Sequence, residues 1–170
     1  TASAGAGMDG HVYANAYVYT DSYSGSKTLY NYSLITPQVT LVAPEAGNNI
    51  ILSFDLAFTT SSTSTTAPAA SAFNGHTFAM AITTNNGTSW MMDSTWLWKD
   101  SVMAQVPATA THFEYDLTSL AGQSVRILFY NGVDSTAGSS AVYANLDNIR
   151  IEEVNPNCEV PTPVVLSTTT

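Results

Sequence analysis

Asp147 is the side chain whose setting most demands a chemical explanation. It lies in AVYANLDNIRIEE, residues 141–153, an otherwise apolar, strand-forming stretch. A carboxylate in such a place is costly unless it is paired, hydrogen-bonded or bound to a metal. Four Lys and Arg face thirteen Asp and Glu in the whole chain, so basic partners are scarce. Asp147 can accept backbone N–H groups, pair with Arg126 or Arg150, or help to hold an ion. His112, Glu114 and Asp116 form a second constellation, a stripe along one strand face that could bind a metal weakly or act as a carboxylate pair. Alternation equally makes it an ordinary polar face. His11 and His76 complete the histidines, and neither Gly-x-Ser-x-Gly nor His-Glu-x-x-His occurs. With no nucleophile beside a base, the expectation is a protein that is not an enzyme. Trp96 and Trp98 in STWLWKDS, residues 94–101, are the candidate ligand-binding residues. Indoles there either stack on sugars and anchor proteins, or fold back as a lid over a sheet edge.

The elements that must position these groups read as strands. Only 10% of the 170 residues are charged, and Ser, Thr, Ala, Asn and Tyr dominate, which favours an uncharged strand-rich surface over amphipathic helices. HVYANAYVY (11–19) alternates as a first strand, and LITPQVTLV (34–42) is a second, with Pro37 confining its first half to an edge or a strand start. NIILSFDLAF (49–58) puts Ile50, Leu52, Phe54, Leu56 and Phe58 on one face and Asp55 on the other. HTFAMAIT (76–83) and TSWMM (88–92) flank Asn85-Asn86-Gly87, a hairpin signal because Gly accepts positive φ. THFEYDL (111–117) points Phe113, Tyr115 and Leu117 inward. SVRILFY (124–130) and the closing segment complete about eight strands, a pattern that predicts an all-β, two-sheet antiparallel sandwich with jelly-roll topology. Residues 59–74 and 93–109 are expected to be long surface loops.

Composition bounds the partners. A net charge of −9 opposes binding to phosphate backbones and anionic membranes, so neither nucleic acid nor direct membrane insertion is expected. Cys158 is the single cysteine, which removes any internal disulfide or cysteine-based metal site. The beginning at Thr1 and the SerThrThrThr end are read as cut points in a longer protein, with residues 1–154 as the domain and 155–170 as a linker.

Four segments in order resemble the cleaved-adhesin or choice-of-anchor J domains of secreted and surface bacterial proteins, which are similar to MAM domains. They are GMDGH (7–11), SLITPQVTL (33–41) with LSFD (52–55), AITTNNGTSW (81–90), and DLTSLAGQSVRILF (116–129) leading to LDNIRIEE (146–153). The family's serine-x-aspartate-x-glycine-x-threonine-tryptophan hairpin is altered here to Thr83, Asn85, Gly87, Ser89 and Trp90, with Trp90 placed to cover the turn. The resemblance implies structural calcium, held by an amino-terminal acidic loop and the closing strand. On this chain the ligands would be Asp9, the main-chain oxygen of His11, Asp147 and, as a third carboxylate, Asp55, consistent with a hard cation that takes oxygen ligands. The alternative makes Asp9 a turn former, Asp55 a solvent-facing strand residue and Asp147 a hydrogen-bond acceptor. The resemblance also implies that 155–163 lead into a fibronectin-type module, with Cys158 either pairing outside this segment or standing as a plain thiol. The function it implies is a non-catalytic adhesion or ligand-binding module that meets an extracellular protein or glycan, alongside neighbouring domains of its own chain. A carbohydrate-binding accessory module or a structural spacer beside a catalytic domain is the alternative.

Overall fold

The computed structural model describes residues 8, 12–138 and 142–157. Ten strands form two five-stranded antiparallel sheets packed face to face, as the alternating apolar segments require. The first sheet runs β2 (Lys27–Tyr30), β1 (Val12–Thr20), β10 (Val142–Val154), β5 (Asn49–Thr59), β8 (Thr111–Asp116). The second runs β3 (Tyr32–Ile35), β9 (Ser124–Val133), β6 (His76–Thr83), β7 (Leu97–Lys99), with β4 (Val39–Thr40) also paired to β9. The sandwich expected from sequence is therefore present.

The core lies between the sheets. Leu52, Phe54, Leu56 and Phe58 of β5 are fully buried against Met80, Ile82, Ile127 and Phe129 of the opposite sheet. Phe54 sits edge-on to Phe129 at 5.0 Å and stacks on Phe113 at 5.7 Å, an arrangement that adds to the burial of three rings.

Several boundaries differ from the sequence reading. Residues 34–42 are not one strand: β3 ends at Ile35 and β4 resumes at Val39, both along β9. Pro37, which lacks an N–H, lies in the break. Residues 88–92 make one bridge, Ile82 to Met91, instead of a strand. Thr83 Oγ1 accepts from the Gly87 N–H at 3.0 Å, and Asn85 Oδ1 accepts from the Ser89 N–H at 2.9 Å, so side chains take the place of the ladder. The stretch 59–74 is pinned by Phe73, which is buried edge-on to Phe58. Leu97–Lys99 is a strand inside the expected 93–109 loop, and Lys27–Tyr30 is a strand in a stretch that the sequence reading did not assign.

The most informative local departure is in β10. From the pair Asp147–Asp55 to the pair Arg150–Ser53, the chain advances three residues on β10 and two on β5, which is a β-bulge. Asn148 sits in it at φ 52°, a left-handed conformation that Asn tolerates better than most residues. The extra residue resets the alternation. Ile149 and Ile151 pack against the core, while Arg150 and Glu152 face solvent.

Candidate functional site

The outward face of the first sheet carries four of the carboxylates singled out above, Asp55, Glu114, Asp116 and Asp147. Strand alternation turns Asp55 away from Phe54 and Leu56, and its register partner on β10 is Asp147. On the other side Asp55 pairs with His112 of β8, whose Nδ1 lies 2.8 Å from Asp55 Oδ1. His112 Nε2 is 3.3 Å from Glu114 Oε1. The Asn148 amide, aimed by the bulge, donates to Asp55 Oδ2 at 2.7 Å. Ser53, Arg150 and Glu152 complete a shallow concavity of about 360 Å³.

The electrostatics follow from these contacts. Partial burial pushes the Asp55 pKa up, but hydrogen bonds from Asn148 and His112, with the His112 and Arg150 charges, more than offset it and hold the carboxyl below its ordinary value. The hydrogen bond to Asp55 raises His112, and Glu114 adds to this against some desolvation. Carboxylates only accept hydrogen bonds, so a ring with one on each nitrogen favours its doubly protonated form. Such a ring has no free lone pair with which to act as a base.

Asp147 answers its opening question through the backbone: its Oδ1 accepts the Asn148 N–H at 2.7 Å. It pairs with neither arginine. Arg126 donates to Asn86 Oδ1 at 2.8 Å, and Arg150 lies 3.8 Å from Glu152. Asp9 and His11 fall outside the described residues. Met8 is described, and it is buried against Ala57, which is two residues from Asp55 on the same outward face. As a calcium ligand Asp55 fits poorly, because both its oxygens already accept from His112 and Asn148. Among the described residues no group of three or more His, Cys, Asp and Glu is arranged to hold a metal.

The tryptophans take the second of their two readings. Trp98 is 8% exposed, with its indole 5.4 Å from the Phe113 ring and 5.7 Å from Phe78. It is a core residue of an edge strand, not a loop contact. Trp96 is half-buried, edge-on to Tyr115 at 5.9 Å. Trp90 lies beneath the 85–87 turn, 3.7 Å from where a Cβ on Gly87 would stand.

The aromatic groups that do meet solvent are tyrosines. In β1, Ala14, Ala16 and Val18 alternate inward, leaving Tyr13, Asn15, Tyr17 and Tyr19 on the other side. Tyr17 stacks on Tyr30 at 4.6 Å with the rings 10° from parallel, and Tyr13 lies 6.0 Å from Tyr143 of β10. Tyr13 is 48% exposed and Tyr19 52%. HVYANAYVY carried this signal in its alternation, which the sequence reading used to place a strand and not to assign a surface.

Comparison with known proteins adds little. No protein-family model matches the chain, and no curated protein does. Among solved structures, the glycoside hydrolase domain of Endo-D from Streptococcus pneumoniae R6 aligns at 16% identity and a TM-score of 0.35, over 89% of this chain and 22% of that one. The chain thus spans about a fifth of that structure's length, and a similarity of this strength carries no argument about fold or activity. Among the described residues no helix is long and apolar enough to cross a membrane.

Proposed function

We propose that this domain is a non-catalytic ligand-binding module of a larger secreted or cell-surface protein, and that it meets an extracellular glycan or protein through the tyrosine side of its first sheet. The observation that carries this reading is the Tyr17–Tyr30 stack with Tyr13, Tyr19 and Tyr143 beside it. Tyrosine gives large contact area at low conformational cost, and its hydroxyl adds a hydrogen bond at the edge of a stacked ring. The adhesin-type resemblance over residues 7–153 supports the same class. So does His112, whose two nitrogens face carboxylates and which therefore suits a structural staple better than a general base. In this reading calcium ties the amino-terminal segment to the closing strand, through Asp9 and the His11 main-chain oxygen on one side and Asp147 on the other. The buried Met8 next to Asp9 supports that route.

A glycan array, together with binding to extracellular-matrix proteins, tests the proposal. Tyr17→Ala and Tyr30→Ala should each weaken binding about tenfold, as expected when a stacking ring worth about 1–2 kcal/mol is removed. Trp96→Ala should bind as the parent does. Binding unchanged in both tyrosine variants, or absent from the parent protein, overturns the proposal in favour of a structural spacer.

A further inference from the structure

The first sheet has an edge that no strand among the described residues covers. β1 pairs with β10 only from Val142 to Leu146, whereas β5 follows β10 to Val154, so the side of β10 that runs past β1 is open. Backbone directions along this edge follow from β5. Ile50 turns both backbone groups to the β8 side, donating to Thr118 Oγ1 at 2.9 Å and accepting from the Leu117 N–H at 2.8 Å. By alternation Ile51 and Ser53 turn theirs to Glu152 and Arg150, their register partners on β10. Ile151 and Glu153, with the carbonyl of Ile149, then point out of the sheet. Beside this edge runs a groove of about 470 Å³, lined chiefly by aliphatic side chains, among them Ile35, Val39, Ile149 and Ile151, with Thr36 and Arg150 as its polar members. Ile35 is 49% exposed and Val39 40%.

An open strand edge beside an apolar groove is a template for another strand. The strand that β10 fits best is itself. Set antiparallel about a two-fold axis at Ile151, β10 places Arg150 opposite Glu152 of a second copy, and Glu152 opposite its Arg150. Ile151 then faces its twin as a hydrogen-bonded pair, which puts Arg150 and Glu152 at the non-hydrogen-bonded positions where side chains come closest. An axis at Arg150 or at Glu152 would instead set like charges together. Glu153 falls opposite Ile149 of the copy, with its carboxylate held back by Asn48 Nδ2 at 2.6 Å and the Glu45 N–H at 2.8 Å. The copy also leaves the edge in time. Just past Val154 the Asn157 N–H bonds to Asn155 Oδ1 at 2.9 Å, a turn that ends the strand before it meets Val12, the partner of Leu146. We infer that the domain forms a symmetric dimer by antiparallel pairing of β10 with β10 of a second copy, centred on Ile151. The axis stands perpendicular to the sheet, so the two first sheets become one and Ile35 and Val39 of the two copies close the grooves against each other. Each copy carries a net charge of −9, which opposes association and keeps the dimer weak.

Sedimentation of the intact chain from about 1 µM to about 1 mM, with reductant so that Cys158 cannot link copies, should show a reversible monomer–dimer equilibrium. The side chains of Arg150 and Glu152 are 60% and 58% exposed, so folding tolerates changes there. Arg150→Glu and Glu152→Arg should each weaken the dimer about tenfold, because each sets like charges opposite one another twice across the axis. Arg150→Glu combined with Glu152→Arg restores opposite charges and should dimerise within about threefold of the parent. Amide exchange at Ile151 and Glu153 should slow as concentration rises, while that at Arg150 and Glu152, already bonded to β5, should not change. A chain that stays monomeric throughout overturns the inference and leaves the edge to an extended segment of a different protein. A dimer indifferent to Arg150→Glu, or one that the double variant does not restore, overturns it as well.

Discussion

At the scale of single residues, His112 is the pH-sensitive joint of the outward face. Its folded pKa is raised, so the stability it adds is fully present below the unfolded value, about 6.5, and is lost as pH rises through the folded one. The folded pKa of Asp55 is depressed, so its contribution is present above about 4 and is lost as pH falls through the folded value. Together they define a window between the carboxylate and imidazole ranges. His112 is more than half exposed, which limits the pair to about 0.5 kcal/mol. His112→Gln should therefore be less stable than the parent in urea at about pH 5.5 and nearly equal to it at about pH 8.5. A difference independent of pH would show that the ring contributes packing and not charge. Asp55 was legible as an outward strand residue from alternation alone. Its partner His112 was not, because pairing across β5 and β8 depends on register between segments 57 positions apart.

At the scale of the element, β10 shows how one residue sets a strand's facing. Leu146, Ile149 and Ile151 are all core residues, yet 146 and 149 differ by an odd number, which an unbroken strand would turn to opposite faces. The bulge at Asn148 resolves this conflict. Its left-handed backbone and its bond to Asp55 make the asparagine hard to replace. Asn148→Ala should cost about 1–2 kcal/mol in denaturant unfolding, from lost hydrogen bonding and the strain of a Cβ at positive φ. Asn148→Gly, which relieves the strain and forfeits only the side chain, should cost no more than about 1 kcal/mol. Equal losses in the two would place the whole effect in the hydrogen bond. The 85–87 turn was legible from Asn-Gly, whereas the break at Pro37 was not, since 34–42 alternate as one strand in the sequence and divide only where they pair with β9. Leu97–Lys99 was missed because three residues carry too little periodicity, and its place in the sheet comes from pairing with Thr77–Ala79.

At the scale of the whole molecule, the sandwich brings the first strand against the last. β1 pairs with the first part of β10, and Met8 packs on Ala57 of the strand beyond it. Calcium at this junction would act as a clip. With a dissociation constant of about 0.1–1 mM, typical of extracellular modules, about 1 mM free ion adds about 0.4–1.4 kcal/mol. For a domain of this size that corresponds to a rise of about 1–5 °C in Tm. Chelator should lower the midpoint by that amount, calcium should restore it, and Asp147→Ala should be indifferent to both. A parent protein whose melting curve ignores the ion overturns the calcium site.

By itself, the sequence determined the fold class and the inward set of residues. A period of two in β5, β8 and β9 is a local property, and burial follows it wherever a partner sheet exists. Asp147 was equally visible as a carboxylate in need of a donor, and it found one in the N–H of the next residue. Tertiary structure alone decided which side chains share a face. It sent Trp98 into the core, aligned Asp55 with Asp147 and His112, set Tyr17 on Tyr30, and left the edge of β10 beyond Leu146 without a strand among the described residues. Each of these rests on strand order and register across the sandwich, and a contact between distant segments has no trace in the spacing of either one.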